Sequence, residues 1–439
     1  MNFKFPSRKP QKLNQKGVAL LMAMFCVMIM AFLAVELNFD TSVEYILSNK
    51  EYHRIKAYDA AKAGMELSLL RIQLFKSINK QYGSQLKGQE SLLQMIWSMP
   101  FTWPPSIPEE TSIADKDQIK TATSDSFMDA RYVAQISAEG SKIDINDLDS
   151  LSESLKKATK EQLTKIFVQK LEAEDDVWAE KNKNFDYEEL INNLQDWVDE
   201  DSVSANGGDE KSRYPDADDD AVIPPNRPFQ TMDELKMVDG MREDVFQILL
   251  PHVTVYGSKG INVNQANAEI LKSIDPIITD EMASEIISRR NDLEKGGPFK
   301  DENEFIAFIS ANQQTFNASK IPLLFGNEYN FRIKVTGEFQ NVTREIIAIV
   351  YDVEAVRDQM IAILDKDNQS QSGPGGSGGP LDTDKDKIPD DQDPDDDNDG
   401  IPDADDPNPK SGAGNNPQTP AAGATSTDQK PRVVYWWEN

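Results

Sequence analysis

The segment from Val18 to Val35 constrains this chain more than any other, because it contains no charged residue, proline or glycine. Its eighteen residues are close to the length at which an α-helix crosses the hydrocarbon core of a membrane. Five lysines and arginines and no acidic residue precede it, and such a bias keeps an N-terminus in the cytoplasm. We therefore expect the residues after Val35 to be exported.

The apolar segment continues into a polar sequence that is compatible with a helix. No helix breaker occurs before Gly64, and no small-residue cleavage site follows the apolar segment as it would in a secretory signal peptide. Between Ile46 and Leu74 apolar residues recur at intervals of three and four, the pattern of an amphipathic helix. The pattern predicts one continuous helix over residues 18–82, with residues 18–35 in the membrane.

Gln15, Lys16 and Gly17 directly precede the apolar segment, and this junction resembles the processing site of type IV prepilins and pseudopilins. The resemblance implies that residues 1–17 are a leader peptide and that prepilin peptidase cleaves between Gly17 and Val18, which becomes the methylated N-terminus. An ordinary signal anchor with a fortuitous glycine is the alternative. These families usually carry a glutamate as the fifth mature residue, whereas this chain has Met22. Among type II secretion pseudopilins, the minor K subunit characteristically lacks that glutamate.

The composition argues against several classes of function for the exported part. A net charge of −29 opposes binding to nucleic acid and favours bound cations. Only two histidines occur, His53 and His252, and we find no nucleophile motif, phosphate-binding loop or zinc-protease motif. We therefore expect no catalytic residues, no organic cofactor and no enzyme activity, although the two carboxylates of a glycosidase need only be close in space.

Two separated regions have the alternating pattern of β-strands. Arg131 to Asn146 predicts a strand or a hairpin with a turn at Glu139-Gly140, and Asn327 to Val353 predicts two strands around Gly337. A long helix packed on a small antiparallel sheet is the pilin architecture. We therefore predict an α+β, pilin-like fold whose sheet is interrupted by a large α-helical insert.

The predicted fold divides the exported chain into six parts after the long helix. These are the first part of the sheet (83–146), the insert (147–325), the second part of the sheet (326–355), a helix end with a flexible linker (356–380), calcium loops (381–409) and a disordered tail (410–439).

The insert repeats a short pattern. SKIDINDLDS (141–150) and KGINVNQANA (259–268) share an asparagine-terminated, strand-like tetrad followed by a helix, and RPFQTMDELKMVDGM is echoed by GPFKDENEFIAFISA. We infer two related helical units. The second resembles the helix-hairpin-helix or SAM-like module of K pseudopilins.

Helix-hairpin-helix modules also hold DNA backbones, and this property gives an alternative function. The chain would then be a membrane-anchored, exported DNA-binding protein of a competence or type IV pilus system. The many acidic residues of the insert oppose binding to phosphate, and we expect Arg289 and Arg290 to have ordinary helix-surface roles.

An acidic loop that contains glycine lies between the two units, from Asp196 to Asp220. It resembles the K-subunit motif in which W-[I/V]-D-x-D is followed by a glycine, a glutamate and a tyrosine, here Trp197, Asp199, Asp201, Gly208, Glu210 and Tyr214. Carboxylates on such a loop supply the oxygen ligands that Ca²⁺ takes, and the resemblance implies calcium binding in this domain. The candidate ligands are Asp199, Asp201 and Glu210; a solvated acidic loop is the alternative.

A second candidate calcium region lies in the C-terminal tail, after the flexible linker QSQSGPGGSGGP. Acids occupy positions 1, 3, 5, 9 and 12 of two consecutive loops, and Gly400 occupies position 6 of the second, where calcium loops turn. The pattern resembles thrombospondin type 3 repeats, in which bound cations hold the aspartates together. An acidic disordered tail is the alternative. The candidate ligands are Asp382, Asp384, Asp386, Asp390 and Asp393 in the first loop, and Asp395, Asp397, Asp399, Asp403 and Asp406 in the second.

The resemblance to the general secretion pathway protein K family covers about Gln15 to Val353 and implies a structural role. A minor pseudopilin of this kind initiates and caps, at the tip, the pseudopilus that exports folded proteins across the outer membrane. Its implied partners are other minor pseudopilins, prepilin peptidase, and secreted substrates or the outer-membrane channel, with no nucleic acid. Its implied location is the inner membrane, which it crosses once, with the bulk of the chain in the periplasm.

Overall fold

Helix α1 is the longest element of the computed structural model, which describes residues 15–82, 90–106, 113–173, 176–214, 223–311, 321–371 and 431–439. It spans Gln15–Tyr82, and one continuous helix was predicted here. The helix includes a stretch that is long and apolar enough to cross a membrane, and none of that stretch is buried within the chain. From Ala57 onward one face of α1 is buried, with Ala61, Met65 and Ile72 in the core.

A five-stranded antiparallel sheet packs against the second half of α1. Its strands are β1 (Phe101–Trp103), β2 (Arg131–Ala138), β7 (Phe331–Phe339), β8 (Val342–Val350) and β9 (Val433–Glu438), and this is also their order in the sheet. Alternate residues of β7, namely Phe331, Ile333 and Val335, are fully buried in the core that α1 shares. The predicted pilin-like arrangement of a long helix on a small antiparallel sheet is confirmed.

Gly337 in β7 allows α1 to approach the sheet closely. A Cβ atom at this position would lie 2.0 Å from the carbonyl oxygen of Ala57 and 2.6 Å from the nitrogen of Ala61. The turn between β7 and β8 lies instead at Gln340 and Asn341, whose φ angles are 47° and 65°. Positive φ at both central residues is what a two-residue type I′ hairpin requires. The prediction of two strands around Gly337 was therefore wrong in the position of the turn.

The chain leaves the sheet after β2 and returns to it at β7, and the residues between form two units. In the first unit β3 (Ile143–Asp144) pairs in parallel with β4 (Val253–Thr254). In the second unit β5 (Ile261–Asn262) pairs in parallel with β6 (Leu323–Leu324). Because β3 pairs with β4 rather than with β2, the hairpin considered for Arg131 to Asn146 does not form.

Helices build most of both units. The first unit contains α4 (Glu153–Leu171), α5 (Val177–Lys181), α6 (Tyr187–Val198) and α7 (Glu243–Leu249), and the second contains α8 (Ala268–Ile274), α9 (Asp280–Arg290) and α10 (Glu302–Ser310). Short 3-10 helices lie at Ile145–Asp149, Glu210–Arg213, Met232–Met237 and Leu293–Lys295. Outside the insert, α2 (Glu90–Ser98) and α3 (Ile113–Ser124) lie between α1 and β2, and α11 (Val353–Gln371) follows β8.

Buried polar groups join the insert to the sheet. Glu139, directly after β2, accepts hydrogen bonds from Arg332 in β7 at 2.8 and 2.6 Å and from Thr254 in β4 at 2.7 Å. Burial raises the pKa of Glu139, but the charges of Arg332 and Lys142 lower it by more, so that its pKa lies below the ordinary value. Glu139 is therefore an ionised anchor between β2, β7 and the first unit.

Val433–Glu438 form a strand within the tail that was predicted to be disordered, and residues 410–430 of that tail lie outside the described residues. Strand β9 pairs antiparallel with β8, with Trp437 opposite Ile347 and Tyr435 opposite Ile349. The sequence VVYWWE is rich in residues that favour strands, and the edge of β8 offers unpaired backbone groups. The pairing therefore satisfies an edge that residues 326–355 alone would leave open.

Candidate metal centre

Helix α6 carries two carboxylates near its C-terminal end. Asp186 caps the N-terminus of α6, because its side chain accepts a hydrogen bond from the Glu189 nitrogen. Asp196 is 4% exposed, and its Oδ1 accepts a hydrogen bond from the Ala205 nitrogen at 2.8 Å. Asp199 is the C-terminal cap residue, three positions after Asp196 and so on the same side of the helix.

The loop after α6 folds back and brings a third carboxylate to the first two. Gly207 and Gly208 form its turn with φ angles of 89° and 94°, and the Ser204 nitrogen donates to the Gly208 oxygen at 3.0 Å. A 3-10 helix then begins at Glu210, which is 2% exposed. Gly208 of the sequence motif therefore belongs to the turn that returns Glu210 to the end of α6.

Asp196, Asp199 and Glu210 form a three-carboxylate cluster, in which one oxygen from each lies within 4.8 Å of the others. Asp199 Oδ1 and Glu210 Oε1 are buried and have no hydrogen-bond partner among the described residues. Burial, and then the charges of Asp201 and Asp196, raise the pKa of Asp199 to about 6. Burial, and then the charges of Asp199 and Asp196, raise the pKa of Glu210 to about 7. The protein surroundings therefore disfavour the ionised forms of Asp199 and Glu210.

The three-carboxylate cluster fits a hard cation. Calcium is bound in proteins by carboxylate and carbonyl oxygens. Buried polar atoms are almost always hydrogen-bonded, so the two unpartnered oxygens indicate a position suited to a positive partner. A bound Ca²⁺ would take one oxygen from each of the three carboxylates and complete its shell with other oxygens. Within the described residues, no other group of three such side chains is brought this close together.

The aromatic residues of the same motif fix the loop on the core of the first unit. Trp197 stacks on Phe229 with ring centroids 5.6 Å apart and planes only 1° from parallel. Tyr214 meets the Trp197 ring at 6.4 Å, and its hydroxyl accepts a hydrogen bond from the Asp239 nitrogen at 3.2 Å. The tryptophan and tyrosine of the motif therefore pack, while its acids form the cluster.

The structure brings together two of the three ligands proposed in the insert, Asp199 and Glu210. Asp201 is exposed and lies outside the cluster, and its Oδ1 accepts a hydrogen bond from the Val203 nitrogen at 2.7 Å. Sequence reasoning missed Asp196. The available signal was its spacing of three residues from Asp199 within a helical pattern.

The remaining predicted sites fall at the two ends of the chain. Gly17 and Val18 lie within α1, and Val18 is exposed. Residues 1–14 of the predicted leader lie outside the described residues, and so do all ten proposed ligands from Asp382 to Asp406. Calcium binding by the tail therefore stays a prediction.

The two adjacent arginines of the second unit are engaged within that unit. Arg289 forms an ion pair with Glu304 at 2.5 Å, and its guanidinium lies 4.1 Å from the centre of the Phe299 ring. Arg290 donates to the Val263 oxygen at 2.6 Å, and burial lowers its pKa to about 10. The expectation of a surface role was therefore wrong for Arg290, and neither arginine offers a free guanidinium to a DNA phosphate.

Residues 141–258, which include the first unit and its three-carboxylate cluster, match the sequence profile of type II secretion system protein K. We call residues 141–258 the protein K segment. The motif from Trp197 to Tyr214 lies inside the protein K segment, so the cluster is part of the matched region. The resemblance drawn from the sequence is thereby confirmed for this segment.

The chain is also similar to a solved complex. The matching structure is the crystal structure of the GspK–GspI–GspJ complex from the type 2 secretion system of enterotoxigenic Escherichia coli. The match has 15% sequence identity and a TM-score of 0.46, and it covers 71% of this chain and 95% of the other. No curated protein matches this sequence.

Proposed function

We propose that this chain is a minor pseudopilin at the tip of a type II secretion pseudopilus, where it initiates and caps assembly. The observation that carries the proposal is the place of the protein K segment in the chain. Residues 141–258 lie between β2 and β7 of a helix-on-sheet domain whose helix α1 begins with an apolar stretch. A pilin-like domain interrupted by a protein K domain is the combination that the role requires.

The apolar stretch of α1 supports a single-pass anchor in the inner membrane. The basic residues before it favour a cytoplasmic N-terminus, so the sheet and the insert would lie in the periplasm. Prepilin peptidase would remove residues 1–17 on the cytoplasmic side and leave Val18 as the first residue.

The helix offers a surface for partner helices beyond the membrane stretch. Val43, Ile46, Leu47 and Ile55 of α1 are between 39% and 58% exposed. Exposed apolar side chains on a helix surface support an interaction site. We infer that these residues pack against the corresponding helices of other minor pseudopilins in a tip complex.

Two features support a position at the tip. Met22 replaces the glutamate that would pair, within the bilayer, with the N-terminal amine of an adjoining subunit. The insert adds two helical units to the sheet domain, and their bulk would obstruct a further subunit above. Both features favour a subunit that ends a filament rather than one that extends it.

Calcium binding completes the proposal. The two unpartnered oxygens of the three-carboxylate cluster support one Ca²⁺ at Asp196, Asp199 and Glu210. The ion would hold the loop that returns Glu210 to the end of α6. The regular spacing of the acids from Asp382 to Asp406 supports further Ca²⁺ in the tail.

Cross-linking in cells tests the proposed place in the tip complex. A photo-crosslinking amino acid at Ile46 should couple the chain to another minor pseudopilin, whereas one at Glu188, on the exposed surface of α6, should not. Deletion of the gene should stop export of folded substrates and reduce pseudopilus assembly. Normal export after deletion, together with no pseudopilin adduct at Ile46, would contradict the proposal.

A further inference from the structure

A long stretch of chain separates strand β9 from the element that precedes it. Residues 372–430 lie between the end of α11 and the start of the C-terminal segment that contains β9. The strand is therefore distant in sequence from its neighbour β8, although the two pair along the sheet edge. Pairing of β9 closes a long connection and so lowers the conformational entropy of the chain. The contacts of β9 must therefore be favourable enough to offset this loss.

The backbone of β9 pairs with the second half of β8, from Ile346 to Val350. Ile346 is opposite Glu438 and Val350 is opposite Val433, with a bulge between Ile349 and Val350. Beyond these pairs, the Glu345 and Asn439 backbones exchange two hydrogen bonds at 3.2 and 3.0 Å, and the Tyr351 nitrogen donates to the Arg432 oxygen at 3.0 Å. This is the main-chain pattern by which a sheet edge binds an extended peptide.

Side chains from two other parts of the protein contact side chains of β9. From α1, the Tyr58 hydroxyl donates to Glu438 Oε1 at 3.0 Å, and this hydrogen bond raises the pKa of Tyr58. From the insert, the Tyr256 ring packs against Tyr435 with centroids 6.4 Å apart. Tyr256 is itself fixed, because its hydroxyl donates to the Gln230 oxygen at 2.7 Å.

The edge of β8 is apolar under this strand. Ile346, Ala348, Ile349 and Val350 are all fully buried in the presence of β9. Without a partner strand, this edge would present unpaired backbone groups beside apolar side chains, which is a template for pairing with another chain. A strand is therefore needed there, and the site has the shape and chemistry to select one.

We infer that the edge of β8, framed by Tyr58 and Tyr256, is a peptide-binding groove whose ligand is this chain's own strand β9, bound in cis. The groove takes an extended, aromatic-rich peptide with a tyrosine at the position of Tyr435 and a carboxylate at the position of Glu438. Because β9 reaches it on a long connection, its occupancy depends on an effective concentration, as for any tethered ligand. The inference does not depend on the proposed role in secretion.

A nicked full-length chain tests the groove. A recognition sequence for a specific protease is placed in the glycine-rich residues 373–379, and the purified chain is cut after folding. The C-terminal fragment should then stay bound in a one-to-one complex at micromolar concentration, as measured by size-exclusion chromatography and native mass spectrometry. An excess of a synthetic peptide of residues 431–439 should displace it.

Substitutions show whether β9 holds the fragment. The double variant Tyr435→Ala and Trp437→Ala should lose the fragment after cutting. Tyr58→Phe should weaken the affinity of the peptide about fivefold, because one hydrogen bond to a carboxylate is lost. Tyr45→Phe is the matched control, since Tyr45 lies in the same helix about 20 Å away and should leave the affinity unchanged.

Three results would overturn the inference. The first is release of the wild-type fragment as soon as the chain is cut. The second is retention that the double variant does not change, since some other part of residues 381–430 would then hold the fragment. The third is a two-to-two assembly of the intact chain, which would show that β9 occupies the groove of a second copy.

Discussion

Asn146 and Asn264 make the same pair of hydrogen bonds in the two units of the insert. Asn146 accepts from the Phe229 nitrogen at 2.7 Å and donates to the Phe229 oxygen at 3.1 Å. Asn264 accepts from the Phe299 nitrogen at 2.9 Å and donates to the Phe299 oxygen at 2.8 Å. In each unit the asparagine follows a short strand and clamps the phenylalanine of a P-F dipeptide, so the repeat read from the sequence has a geometric counterpart.

The asparagine clamp predicts a large effect of Asn264→Ala. The side chain of Asn264 also donates to the Phe325 oxygen at 3.0 Å, so its loss leaves several buried backbone groups without a partner. We expect the free energy of unfolding to fall by about 3 kcal/mol, measured by chemical denaturation. Asn303→Ala, on the exposed face of α10, is the control and should change it by less than about 0.5 kcal/mol. Equal effects of the two changes would show that the clamp adds nothing.

Gly337→Ala should separate α1 from the sheet. The new methyl group would lie 2.0 Å from the Ala57 oxygen, so the helix or the strand must move. We expect a loss of about 3 kcal/mol or more in the free energy of unfolding, since both partners are backbone. Gly326→Ala is the control, because nothing lies within 4 Å of a Cβ atom there. A variant at Gly337 as stable as the wild type would refute the close approach.

Glu328 should make stability depend on pH. Its Oε1 accepts from the Tyr329 and Asn330 nitrogens at 3.0 Å each, whereas its Oε2 is buried without a partner among the described residues. Burial raises the pKa of Glu328 from 4.5 to about 7. Between these values the folded protein keeps a proton that the unfolded chain has lost. The free energy of unfolding should therefore fall as pH rises through this window and then level off, by about 3 kcal/mol in total.

Glu328→Gln tests this pH dependence, because the amide cannot ionise. Between about pH 4.5 and about pH 7 its free energy of unfolding should fall by about 3 kcal/mol less than that of the wild type. Glu188→Gln, on the exposed surface of α6, should keep the wild-type slope. If the slope is the same in all three proteins, Glu328 is not its source.

The three-carboxylate cluster predicts an order among acid-to-amide variants in calcium titrations. Asp196→Asn and Glu210→Gln should each weaken Ca²⁺ binding at this site at least about tenfold, because each removes a charged ligand. Asp201→Asn should have a smaller effect, since Asp201 lies outside the cluster. Binding should also weaken as pH falls below 7, because protons compete for Glu210 and then for Asp199. The reverse order in isothermal titration calorimetry, with Asp201 dominant, would restore the ligand set inferred from the motif.

The parts of the fold that the sequence could predict are those with a local signal. The length and spacing of the apolar residues predicted α1, and alternation predicted β2 and the region of β7 and β8. The turn was misplaced because Gly337 looks like a turn residue in isolation. Its actual reason is the closeness of α1, a partner more than 270 residues earlier in the chain, which no local pattern reports.

Three other features depend on contacts that are not local. The pairing of β9 with β8 joins segments on either side of residues 372–430, and the sequence VVYWWE alone does not indicate which strand it pairs with. Asp196 looks like one more acid on a helix, and only the return of the loop at Gly208 encloses it beside Glu210. The parallel pairing of β3 with β4 similarly requires the whole first unit to fold between them.

Intact mass and N-terminal sequencing of the chain from membranes that contain its prepilin peptidase test the central claim most directly. The proposed pseudopilin should begin at a methylated Val18, and Gly17→Ala should leave the leader attached. A wild-type chain that still begins at Met1 in these membranes would contradict the claim, because an unprocessed signal anchor does not assemble into a pseudopilus.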